Sequence, residues 1–231
     1  MTGTTTAGAP SLTPTRLIFA YALGFTIFDL VPIPLSDVGA FKGLSVGDLV
    51  DAPLIILPAA LLFRMALDAD LWRAAGLRAA VLLTLLLFAQ GHAVHLTANA
   101  IAHSLAESDA AWESAYFLDE HLGHYELQVA LLIFATLFIW FGHPSRLPRQ
   151  AEFALLAFTI AGYGSLQAAG AIEGQTVPLV LPASLILATA GIWAAKRRGS
   201  EYTTFFAASY AVCFLVLVTY GAANNGWPEI L

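Results

Sequence analysis

The chain has 231 residues, 58% of them hydrophobic and 11% charged, with a formal net charge of −6 and a mean hydropathy of +0.74. Soluble domains are about half apolar and a quarter charged, so this composition excludes an ordinary water-soluble globule and fits a chain dissolved largely in lipid. No segment between the apolar runs is long enough for an independent soluble domain, and no nucleic-acid partner is expected.

In chain order, residues 1–15 are rich in Thr, Pro, Gly and Ser without a basic n-region and read as a disordered tail. The apolar run after Arg16 is not followed by an A-x-A-like cleavage site, so a retained first helix is expected and not a signal peptide. Apolar runs of about 20 residues predict an all-α protein with seven transmembrane helices, near 16–35, 50–66, 76–104, 121–142, 150–171, 178–195 and 203–222. They form one domain over 16–222, followed by a short tail over 223–231. Pro32 and Pro34 end or kink the first helix, Pro144 and Pro148 bracket the turn between the fourth and fifth, and Pro178 and Pro182 mark the first turns of the sixth. The single cysteine, Cys213, rules out an intramolecular disulfide or a thiolate cluster.

Alternating the connections between two sides puts Arg16, Arg64, Arg73, Arg78, Arg146, Arg149, Lys196, Arg197 and Arg198 together and leaves only Lys42 opposite. The positive-inside rule makes the basic side cytoplasmic. The N-terminus is then expected inside and the C-terminus outside, in a bacterial inner membrane or its equivalent. Membrane lipids are the expected surroundings. Trp72, Trp112, Trp140, Trp193 and Trp227 fall near the expected interfaces and read as anchors of an aromatic belt.

One region departs from an inert bundle. The stretch from Gln90 to His103 and the stretch from Leu118 to Glu126 carry five of the six histidines. His95, Asn99 and His103 follow His92 at offsets of three, seven and eleven, which sets the four side chains on one stripe of the third helix. Counting rise from Arg78 puts His92 roughly 21 Å and His95 roughly 26 Å across the bilayer, and Asp29 on the first helix comes to roughly 20 Å when counted from Arg16. His121 and His124 open the fourth helix from the same side. Glu120 and His124, four apart, are expected to share a face, as are His121 and His124 at three apart. Polar groups at such depth are expensive in lipid and point to function.

Imidazoles and carboxylates held together in a partly dry site fit three chemistries. A metal, zinc or non-haem iron or manganese, would take His92, His95 and His124, with His121 or Asp29 completing or orienting the shell, Glu120 or Asp119 as general base, and Asn99 and His103 lining the site. Haem would take one or two axial histidines from facing helices. A proton relay would use the same groups without a metal. His143, in the turn before Pro144, is expected to stand apart.

The seven-span plan with intramembrane His, Asp and Ser resembles, in architecture alone, the superfamily of membrane metal-dependent hydrolases that includes alkaline ceramidases and adiponectin-receptor-like proteins. That superfamily carries an HxxxH pair on its last span, whereas the seventh helix here has no histidine. A retinal protein needs a lysine in its last span, and the only lysines are Lys42 and Lys196; a HExxH protease is excluded because no such string occurs. The expectation is therefore a metal-dependent membrane hydrolase or oxidase acting on a small, hydrophobic, lipid-like substrate. A proton-coupled carrier, or a haem-binding or structural subunit of a membrane complex, stands as the alternative.

Overall fold

The structure is a computed structural model that describes residues 12–36, 38, 39, 44–106, 109–143, 148 and 150–230. Among the described residues it is all helical, without a strand. Seven helical stretches are long and apolar enough to cross a membrane: Pro14–Leu35, Val46–Asp68, Ala75–Ala102, Ala110–Phe141, Glu152–Glu173, Val177–Arg198 and Glu201–Asn224. Seven such helices suggest a multi-pass membrane protein. Most of the expected tail, and with it Lys42, Arg146, Arg149 and Pro144, lies outside the described residues.

Span one is α1 (Pro14–Leu30), opened by Thr13, whose hydroxyl accepts from the Arg16 amide, and by Pro14 in the first turn. Both choices satisfy or remove amide donors that a helix start leaves unpaired. A short 3₁₀ turn over Ile33–Leu35 follows, at the prolines expected to end the helix. Span two divides into α2 (Val46–Leu54) and α3 (Ile56–Asp68), with Pro53 at the break. Proline lacks an amide donor and crowds the preceding turn, which accounts for the interruption. Ser45 and Asp48 form a reciprocal capping box that starts α2 four residues before the expected position 50.

Span three is the unbroken α4 (Ala75–Ala102). Span four joins α5 (Ala110–Tyr116), a π-helical turn (Phe117–Gly123) and α6 (His124–Phe141). It thus begins at Ala110 and not at 121 as expected, because Glu113, Asp119 and Glu120 lie on helix and not in a loop. Spans five to seven are α7 (Gln150–Glu173), α8 (Val177–Arg198) and α9 (Glu201–Asn224). Gly199, at φ 64°, closes α8 in the left-handed conformation open to glycine, and Ser200 caps α9 immediately after it.

Helix α9 packs against α8, α7, α6 and α1. Their shared interior is aromatic: Tyr21, Phe138, Tyr163, Phe205 and Phe206 are buried, and the Tyr21 and Tyr163 hydroxyls meet at 2.9 Å. The outward faces carry exposed Leu82, Leu83 and Leu86 on α4, Phe153 and Phe158 on α7, and Ile186 and Leu215 beyond. In water such a surface would be a liability, whereas facing lipid tails it costs nothing. The described arginines and Lys196 gather at one end of the bundle. There Arg197 lies over the Trp193 ring at 3.9 Å, and the Tyr202 hydroxyl donates to Asp68 at 2.7 Å. The polar constellation lies at the other end.

Candidate metal centre

Successive spans run antiparallel, so the last turns of α1 and α4 and the first turns of α2 and span four meet at one end. Asp29, Asp48, Asp51, His92, His95, Asn99, His103, Asp119, Glu120, His124 and Glu126 all belong to those turns. Two glycines bring the backbones together. A Cβ added at Gly91 would lie 2.8 Å from the Gly123 carbonyl oxygen and from the Leu127 amide nitrogen, and one added at Gly123 would lie 3.0 Å from the His95 amide nitrogen. Only hydrogen at both positions permits this crossing, which puts His95 opposite the start of α6. Gly174 at the end of α7 leaves room for the His124 ring, since a Cβ there would lie 2.6 Å from the His124 Cγ.

The π turn decides which side chains of span four face inward. Side chains five apart in an α-helix diverge by about 140° at 100° per residue, whereas the wider π turn, with bonds from residue i to i+5, brings them back toward one face. The His124 amide bonds to the Asp119 carbonyl in this pattern. His95, Asp119 and His124 consequently form one group whose ligand atoms all lie within 4.8 Å of one another. His95 Nδ1 and Asp119 Oδ1 are in direct contact, and the His95 and His124 ring centres are 4.8 Å apart. Donors about 2.0–2.2 Å from one ion are about 3–4 Å apart, so the widest pair needs to close by less than about 1 Å while His95 Nδ1 and Asp119 Oδ1 need to part to admit the ion.

Each imidazole has a second polar neighbour. His124 Nδ1 lies 3.2 Å from Glu120 Oε2, which leaves Nε2 free to ligate. His95 Nε2 lies 3.3 Å from the Asn99 amide. The amide atom that faces Nε2 is the Asn99 Nδ2, which donates to it, and His95 Nδ1–H donates to Asp119 Oδ1; a metal at Nδ1 would take the place of that proton, with the Asn99 amide turned so that its carbonyl accepts from Nε2–H. Three donors, all half-buried, with orienting partners behind two of them, are the pattern of a site that keeps a coordination position open.

His92 lies beside this group, its ring centre 6.3 Å from that of His95, packed edge-on against Phe28 and 3.9 Å through Nδ1 from Asp51 Oδ2. Asp29 is half-buried within Coulombic reach of Asp51, His124 and His95. His103 is exposed and 3.5 Å from Asp48 Oδ2. His121 does not share the face of His124; the π turn rotates it outward, where it is exposed and packs on Phe117. His143 is far off at the basic end, 3.7 Å from Asp70.

Asp48 and Asp51 were not among the expected site residues. The S-x-x-D signature at Ser45 is the signal that could have brought them in, since a helix starting there turns both carboxylates toward α4. No protein-family model matches the chain, and comparison with curated proteins and with solved structures finds no match.

Proposed function

We propose that this multi-pass protein is a metal-dependent membrane enzyme whose centre is held by His95, Asp119 and His124. The observation that carries the reading is the convergence of those three donors, from two spans, at spacings one ion can close. Zinc, iron and manganese all suit two imidazoles and a carboxylate. In this assignment Asp119 would be a ligand, Glu120 would orient His124 and serve as general base, Asn99 would orient His95, and the ion would supply Lewis-acid activation of water or substrate. The substrate is lipid-like, for the centre sits at one end of a bundle flanked by exposed Phe117, Leu118 and Leu122. Hydrolysis and metal-centred oxidation use the same donors. The charge distribution supports an orientation with the N-terminus inside and the centre near the outer face.

The four imidazole–carboxylate pairs, His92 with Asp51, His95 with Asp119, His103 with Asp48 and His124 with Glu120, also favour a proton relay as the second reading. Haem has less support, since two imidazoles this close leave no space for a porphyrin between them. Elemental analysis of the purified full chain separates the readings. The metal reading expects bound zinc, iron or manganese in the wild type, sharply less in His95→Ala, Asp119→Ala and His124→Ala, and no change in His143→Ala. Metal-free wild-type protein, or a triple variant with wild-type content, would overturn it in favour of the relay.

A further inference from the structure

His92 is 3% exposed, and neither of its ring nitrogens makes a hydrogen bond of normal geometry. Its polar neighbour is Asp51, which is 8% exposed, has Oδ1 likewise unpartnered, and places Oδ2 at 3.9 Å from His92 Nδ1. That distance is too long for a hydrogen bond but within the span of two donors on one ion, about 4 Å. Buried polar groups are nearly always satisfied, and an orphaned pair calls for a missing partner.

The charge at this end of the bundle points to what that partner is. Asp29, Asp51, Asp119, Glu120 and Glu126 lie at this end, yet among the described residues every Arg and Lys lies at the opposite end. Carboxylates out of water need a cation or a proton. One divalent ion held by neutral His95 and His124 is balanced by Asp119 and Glu120, which leaves Asp51 and Asp29, within Coulombic reach of each other, to be neutralised by a further cation or by a proton. A second ion between Asp51 and His92 is such a cation and occupies both orphaned side chains. His92 and His95 are three apart on α4 with ring centres 6.3 Å apart, so the two ions would be neighbours, as in two-metal sites whose ions are about 3.5–4 Å apart.

We infer that Asp51 and His92, with Asp29 beside them, form a second divalent-metal position and that the centre is binuclear. The inference rests on the metal reading of His95, Asp119 and His124, and the test separates the two. The full chain, stripped of metal in lipid nanodiscs, is titrated with Mn2+ alone while bound manganese and its electron paramagnetic resonance spectrum are followed. Two ions per chain with an exchange-coupled spectrum are expected. Asp51→Asn and His92→Gln, which keep size and polarity, should each hold one ion with an uncoupled spectrum. One ion per wild-type chain, two uncoupled ions, or two coupled ions retained in both variants would overturn the second position and leave the first standing. No bound ion in the wild type would overturn both.

Discussion

The crossing of α4 over the start of α6 is the most demanding feature of the site, and Gly91→Ala tests it. The added methyl would lie 2.8, 2.8 and 2.9 Å from the Gly123 carbonyl oxygen, the Leu127 amide nitrogen and the Glu126 Cβ. Two of these atoms are backbone and cannot rotate away. Ordinary contact begins near 3.4 Å, so the helices must separate by about 0.6 Å. Overpacking of this kind costs about 1–3 kcal/mol, and the better helix propensity of alanine returns up to about 1 kcal/mol. A net loss of about 1–2 kcal/mol is expected. The same shift moves His95 against Asp119 and His124 by more than the roughly 0.2 Å a coordination shell tolerates. Metal affinity should therefore fall by at least tenfold, the lower end of what displaced support around a ligand typically costs, about 10–100-fold. Gly76→Ala is the control: it is on the same helix with nothing within 4 Å of an added Cβ, so it should leave metal affinity unchanged and raise stability by up to about 1 kcal/mol. Thermal unfolding in detergent and competition with a fluorescent zinc chelator measure the two. Wild-type unfolding temperature and affinity in Gly91→Ala would refute the close crossing and with it the proposed positioning of His95.

Three further expectations follow from the geometry. A C-terminal alkaline-phosphatase fusion should be active and a fluorescent-protein fusion dark; the reverse would remove the proposed orientation. In a Cys213→Ser background, Asp29→Cys should react with a lipid-soluble maleimide at least several-fold more slowly than Leu23→Cys, because Leu23 is exposed on the same helix while Asp29 is half-buried beside the centre; equal rates would put residue 29 against lipid. Tyr202→Phe deletes the hydroxyl that donates to Asp68 at 2.7 Å. As this bond is to a charged acceptor it should lower stability by about 1.5–3 kcal/mol without changing metal content, and an unaltered unfolding midpoint would contradict that contact.

The seven spans and the histidine stripe of α4 were legible because hydropathy and helical period are local properties of the sequence. His95 and Asn99, expected on one face, are indeed in contact. What was not legible depended on partners distant in the chain or on local winding. The acidic residues between Asp109 and Glu120 resemble a loop by composition, and only their helical continuation into α6 shows them to be the first turns of span four. Gly91 and Gly123 are ordinary glycines until their helices are seen to cross. The pairing expected of His121 and His124 assumed α-helical spacing, whereas the π turn sets a carboxylate, Asp119, beside His124 on the inner face in place of His121.

That π turn makes the length of one short segment as informative as its composition. A π turn within an α-helix takes up one extra residue, so removing a single residue between Asp119 and His124 would restore regular winding and leave the two four apart, about 40° from each other round the helix. The chain would keep its seven spans and its hydropathy profile, and Asp119 would still face His124, whereas the present five-residue spacing wound as a regular α-helix would turn the two about 140° apart. Among related sequences, donors five apart across a π turn and donors four apart on a regular helix would therefore be equivalent ways to assemble the centre, and a spacing that fits neither would mark chains that only share its bundle.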